Sequence, residues 1–161
     1  MKTDKKVIDT LNDLIRVNMD RTEGYNKAAE EIKDSFEAEV KTVFYQMAEE
    51  SRRYSSTLAE EVTRLGGTPA KDTTAAGDIY RAWMDFKVAF SGSDVLAALQ
   101  SCEYGEDVAL RTYKKALEKD ADWPSETIDF VADQRASLKV SHDRIKRYRD
   151  EYASKSRVAT H

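Results

Sequence analysis

The feature that most constrains the fold is a run of apolar residues at helical spacing that is interrupted by acids. Leu96, Leu99, Leu110, Tyr113 and Leu117 lie in phase with steps of three and four, the spacing of a helix with one buried face. In the middle of this stripe, where the pattern asks for leucine, stand Glu103 and Glu106. A buried carboxylate without a partner costs several kcal/mol, so each one calls for a cation, a metal or a proton.

The rest of the chain reads as helix on the same grounds. Ile8, Leu11, Ile15, Asn18, Thr22, Tyr25, Ala29 and Ile32 form a first stripe, with Thr3 or Asp4 as its N-cap. A second helix opens near Asp34-Ser35. Asp34 with Glu37 fits a capping box, and the stripe then runs from Phe36 through Met47 and Tyr54 to Leu65. Gly66-Gly67 followed by Pro69 stops it. Ile79, Trp83, Phe86 and Phe90 predict a short helix over residues 76–91, set within a long connection. Gly92 ends that helix, and Ser93 or Asp94 caps the third long one, which runs to about Lys119. A fourth, capped by Ser125, covers residues 126–152 with the stripe Ile128, Val131, Arg135, Leu138, His142, Ile145, Arg149 and Tyr152.

Two helical hairpins joined by a long link let the third helix start at the opposite end from where the second finished. The predicted class is therefore all-α, a ferritin-like four-helix bundle with a crossover that contains a short helix. At 161 residues one domain is expected, over residues 1–153, with a flexible tail at 154–161. Thr22-Glu23-Gly24 and Gly105-Glu106-Asp107 each set a carboxylate beside a mid-helix glycine, an echo between the two halves.

Composition narrows the partners. A net charge of −4 and a pI near 5.3 give no pull toward nucleic acid. No apolar run reaches the roughly 18–20 residues of a membrane span, and the N-terminus lacks the apolar core of a signal peptide. One cysteine, Cys102, rules out an intrachain disulfide and suits a reducing compartment. A cytoplasmic protein, with a homodimer as the simplest assembly, is the expectation.

Glu23, Glu50, Glu103, Glu106 and His142 all fall well inside their helices, and antiparallel pairing would bring them to one level. They are the candidate ligands of a dinuclear iron or manganese site. The usual pattern wants Glu-x-x-His on two helices. Here Lys139 precedes His142 by three residues, and Tyr54 stands four after Glu50. Two readings stay open. In one, Lys139, Arg135, His142 and tyrosines neutralise and hydrogen-bond the acids, with no metal. In the other, a metal is bound.

Leu11-Asn-Asp-Leu-Ile15, Arg81-Ala-Trp-Met-Asp-Phe-Lys87, Cys102-Glu-Tyr-Gly-Glu-Asp107 and His142-Asp-Arg-Ile145 occur in this order. With these segments the chain, from Val7 to about Asp150, resembles a bacterial ferritin-like family of unknown function, distantly similar to rubrerythrins and bacterioferritins. The resemblance implies a ferritin-like bundle. It places Glu23, Glu106 and His142 at ligand positions, Tyr54 where relatives have histidine, and Lys139 and Ser51 where they have glutamate. It supplies no established activity. A non-catalytic bundle with a degenerate metal site, with a role in stress, is one expectation. The alternative is a di-metal oxidase, peroxidase or storage protein.

Overall fold

The structure is a computed structural model that describes residues 4–31, 38–72 and 95–159. Among them are four α-helices and no strand: α1 (Lys5–Glu31), α2 (Ala38–Arg64), α3 (Val95–Leu117) and α4 (Ser125–Ala159). The expected short helix at 76–91, with Trp83, Phe86 and Phe90, lies outside the described residues, as do the Asp34 capping box and the Ser93/Asp94 cap. The fourth helix is longer than its stripe suggested and continues to Ala159.

The side-chain pairings set the topology. Arg21 meets Ser51 and Asn12 meets Thr68, so α1 and α2 are antiparallel. Tyr113 meets Gln134 and Glu103 meets Arg149, so α3 and α4 are too. Asn18 with Tyr113, and Tyr25 with Glu106, make α1 antiparallel to α3. Helices α2 and α3 therefore point the same way. Each of these helices spans roughly 35–40 Å at 1.5 Å per residue, so the end of α2 and the start of α3 lie at opposite ends of the bundle. That parallel diagonal is the signature of a ferritin-like bundle and separates it from the up-down-up-down form.

Local chemistry defines the helix ends. Asp4 caps α1: its Oδ1 accepts from the Lys6 amide at 2.9 Å, and its Oδ2 accepts from the Asp122 amide at 3.0 Å. One carboxylate thus starts a helix and ties it to the turn before α4. These two amide bonds hold Asp4 below its ordinary pKa. At the other end of α2, the Gly66 amide donates to Thr63 O at 3.0 Å and the Gly67 amide to Val62 O at 2.9 Å. This pair of bonds is a Schellman motif, with Gly66 at φ +90°. A Cβ on Gly67 would stand 2.6 Å from Ile8 Cγ2, so the turn sits directly on the first turn of α1.

The apolar interior forms two clusters. One gathers Leu11, Leu14, Leu58, Val62, Val131 and Leu138 toward the Asp4 end. The other gathers Tyr25, Val40, Phe44, Val95, Leu99 and Ile145 toward the far end. Between them lies a buried layer of polar side chains. Among the described residues no helix is long and apolar enough to cross a membrane.

Nothing lies within 4 Å of a Cβ built on Gly66, so only its backbone conformation resists substitution. Gly66→Ala should cost about 1 kcal/mol in urea unfolding. Gly66→Asn should cost less, because asparagine tolerates the left-handed region better.

Candidate functional site

The layer between the two clusters is organised by a residue that sequence periodicity passed over. Arg21 projects from α1 into the bundle and is completely buried. Its Nε and Nη2 donate to Glu106 Oε1 at 2.7 and 2.6 Å. Its Nη1 reaches Ser51 Oγ at 2.6 Å, Glu50 Oε1 at 3.1 Å and the Met47 carbonyl at 3.3 Å. The guanidinium carbon lies 5.1 Å from the centre of the Tyr25 ring, within cation–π range. Tyr25 also donates its hydroxyl to Glu106 Oε1.

From this hub the bonds continue through all four helices. Ser51 Oγ donates to Asn18 Oδ1 at 2.9 Å, and Asn18 Nδ2 donates to Tyr113 Oη at 2.8 Å. Tyr113 donates to Gln134 Oε1 at 2.7 Å. On the other side, Ser141 Oγ donates to Glu50 at 3.0 Å. One acceptor, Glu106 Oε2, is buried without a hydrogen-bond partner among the described residues.

The electrostatics follow from burial. Desolvation works against the Arg21 charge, but Glu106, Tyr25 and Glu50 outweigh it and hold the guanidinium above its ordinary pKa. Burial first, and then the negative charge of Glu106, lifts Tyr25 well above a free phenol. Burial likewise raises Tyr113, against the lowering effect of its bond from Asn18. Both hydroxyls are therefore neutral donors across the physiological range.

Of the five candidate ligands, the layer unites Glu50 and Glu106. Glu23 lies outside it, half-buried in a groove with Asn26, Lys27, Ser55 and Ser56. Glu103 turns to the α3–α4 edge and pairs with Arg149 at 3.0 Å. His142 sits on the same edge, its Nε2 2.7 Å from Asp107 Oδ1. Lys139 is exposed and pairs with Asp143 at 2.9 Å, and Arg135 is exposed, so neither neutralises the core acids. Tyr54, in the histidine-like place, is half-buried, and burial raises its pKa.

The miss has a specific cause. Steps of three and four fit α4 equally well through Val131, Gln134, Leu138, Ser141 and Ile145, and this is the face that is buried. The Arg135–His142 phase lies one residue away. On α1 the buried face likewise runs through Asn18, Arg21 and Tyr25 rather than Thr22.

The donor set does not fit a dinuclear metal centre in the core. Arg21 places a permanent positive charge against the carboxylates that would hold the metal, and among the described residues no imidazole enters the layer. A divalent ion there would meet like charge in a low-dielectric interior.

The profile of the family described as Domain of unknown function (DUF2383) matches residues 6–119. No curated protein matches the sequence. Among solved structures, a mutant of Dps1 from Mycobacterium smegmatis is similar at a TM-score of 0.78 and 20% identity, covering 90% of this chain and 95% of that one. A dodecameric thioferritin, the bacterioferritin-related protein of Bacteroides fragilis, is similar at 0.78 and 20%, covering 98% and 92%. A ferritin-like, diiron-carboxylate protein from Bacillus anthracis is similar at 0.72 and 20%, covering 90% and 96%. These likenesses establish the ferritin-like fold.

Removing one partner of the buried pair should cost far more than removing both. Arg21→Met strands Glu106 and should destabilise by about 3–5 kcal/mol in chemical denaturation. The double variant Arg21→Met/Glu106→Leu should recover most of that loss, less about 1 kcal/mol for the Tyr25 hydroxyl left without its acceptor.

A second buried acid gives a pH signature. Asp20 is 2% exposed, with Oδ1 unpartnered among the described residues. Burial, assisted by the charge of Glu23, pushes its pKa up to about 7. The folded state therefore favours the protonated form. The stability Asp20 contributes is full below about pH 4 and is lost as pH rises through about 7. Asp20→Asn should raise the Tm at pH 8 by about 2–4 °C, as expected for about 1 kcal/mol in a chain of this size. It should leave the Tm at pH 4 nearly unchanged.

Proposed function

Because the chain belongs to the DUF2383 family of unknown function and has a ferritin-like fold, we propose that it is a non-catalytic ferritin-like protein. In this reading it is a cytoplasmic structural or interaction protein with a role in stress, and Arg21 takes the place of the core metal. The observation that carries the reading is the complete burial of Arg21 with its guanidinium on Glu106 and Glu50. A tethered cation pairs with both inward acids and offsets one of their two charges, occupying the place between them where an ion would otherwise sit. The solved dodecameric thioferritin supports self-association for a fold of this kind. A homodimer is the simplest closed form, and sedimentation equilibrium measures it.

The second reading is an iron- or manganese-binding oxidase, peroxidase or storage protein; of its sequence-predicted ligands Glu23, Glu50, Glu103, Glu106 and His142, it would use in the core Glu50 and Glu106, the two that share the Arg21 layer. It is favoured by the likeness to a protein described as diiron-carboxylate.

The two readings separate on iron chemistry in the core. Under the first, Fe²⁺ added to the purified protein should oxidise at the same rate in the wild type and in Arg21→Met/Glu106→Leu. Iron and manganese content after expression in supplemented medium should also be the same in the wild type and in Arg21→Met/Glu106→Leu. Oxidation above background that disappears in the double variant establishes the second reading instead.

A further inference from the structure

The α3–α4 edge carries a group of side chains that the Arg21 layer does not use. Glu103 and Asp107 are one turn apart on α3, and His142 faces them from α4. One ligand atom from each lies within 4.8 Å of the other two. Ligands bound to a single ion at about 2.0–2.2 Å stand at most about 4.4 Å apart, so a small side-chain adjustment would bring all three into range. We propose that Glu103, Asp107 and His142 form a binding site for one first-row divalent transition-metal ion on this edge, separate from the bundle core.

Three features beyond proximity support the assignment. The first is the orientation of His142. Its Nδ1 lies 3.1 Å from Asp143 Oδ1, leaving Nε2 aimed at Asp107. A carboxylate that accepts from the far ring nitrogen fixes the tautomer whose Nε2 lone pair binds a metal. Lys139 holds Asp143 in turn, at 2.9 Å. The second is charge: Glu103, Asp107, Asp143 and Asp150 set four carboxylates against the two cations Arg149 and Lys139, an excess that a dication relieves. The third is access. Asp107 is 53% exposed, whereas Glu103 and His142 are mostly covered, so an ion can enter from solvent onto a partly dry face. One imidazole with two carboxylates suits Mn²⁺, Fe²⁺ or Zn²⁺ and leaves coordination positions for water.

Arg149 gives the site a distinctive sign. Its guanidinium now occupies Glu103 Oε2 at 3.0 Å, and an ion must displace it. Removing this arginine should therefore tighten metal binding, which a merely structural ion pair would not do.

Calorimetric titration of the chelator-treated full chain with Zn²⁺, and separately with Mn²⁺, tests the proposal. One ion per chain should bind, saturably, with at least one of the two metals. His142→Ala and Asp107→Asn should each weaken binding by more than about tenfold, and Asp143→Asn by about tenfold. Arg149→Met should tighten it. Circular dichroism of each variant checks that the helices are intact. The core variant Arg21→Met/Glu106→Leu should bind as the wild type does, so the outcome is independent of how the core is read. Absence of stoichiometric binding for both metals overturns the proposal. So does binding that survives His142→Ala, or binding that is lost with the core variant.

Discussion

The structure depends on one buried ion pair. Arg21 and Glu106 come from helices far apart in sequence, and both side chains are wholly removed from solvent. In that setting neither charge is tolerable alone, and their attraction must offset the loss of two hydration shells. Satisfying the remaining guanidinium protons recruits Ser51, Glu50 and the Met47 carbonyl from α2. The pair therefore fixes the relative height of three helices at once. Apolar side chains would not fix it, because a leucine stripe can slide by a turn and still be buried.

This layer also explains why the interior divides in two. Above and below Arg21 the packing is ordinary: leucine, valine and isoleucine on the Asp4 side, and valine, leucine and isoleucine mixed with Tyr25, Phe44 and small residues on the other. Small residues on α3, among them Ala98, Cys102 and Ala109, are buried beside the layer. Cys102 and Ala109 flank Glu106 on the buried face of α3, where their small side chains leave the layer to Arg21 and Tyr25.

The fold was legible in the sequence because it rests on signals spread over many residues. Four long periodic segments, the Gly66-Gly67 stop and a link too long for a tight turn together specify a parallel α2–α3 diagonal. No single residue needed to be placed correctly for that. The site was legible only in part. Glu106 was picked out as an inward acid on α3, since a charged residue within an apolar stripe is conspicuous. Its partner was not, because Arg21 lies at a position where two phases of the helix are one residue apart. A long cation next to a stripe reads as a rim residue that reaches to water. The same ambiguity of phase on α4 brought Arg135 and His142 forward and hid Gln134 and Ser141. Periodicity locates a face to within about one residue, or roughly 100° of rotation, and that is the difference between a core and a rim.

A guanidinium supplied by the chain is always present at one equivalent per bundle. It cannot be stripped by a chelator, starved out of the medium or displaced by a competing ion, and it has no second oxidation state. The positive charge that Glu106 meets in this interior is therefore in place as soon as the backbone folds.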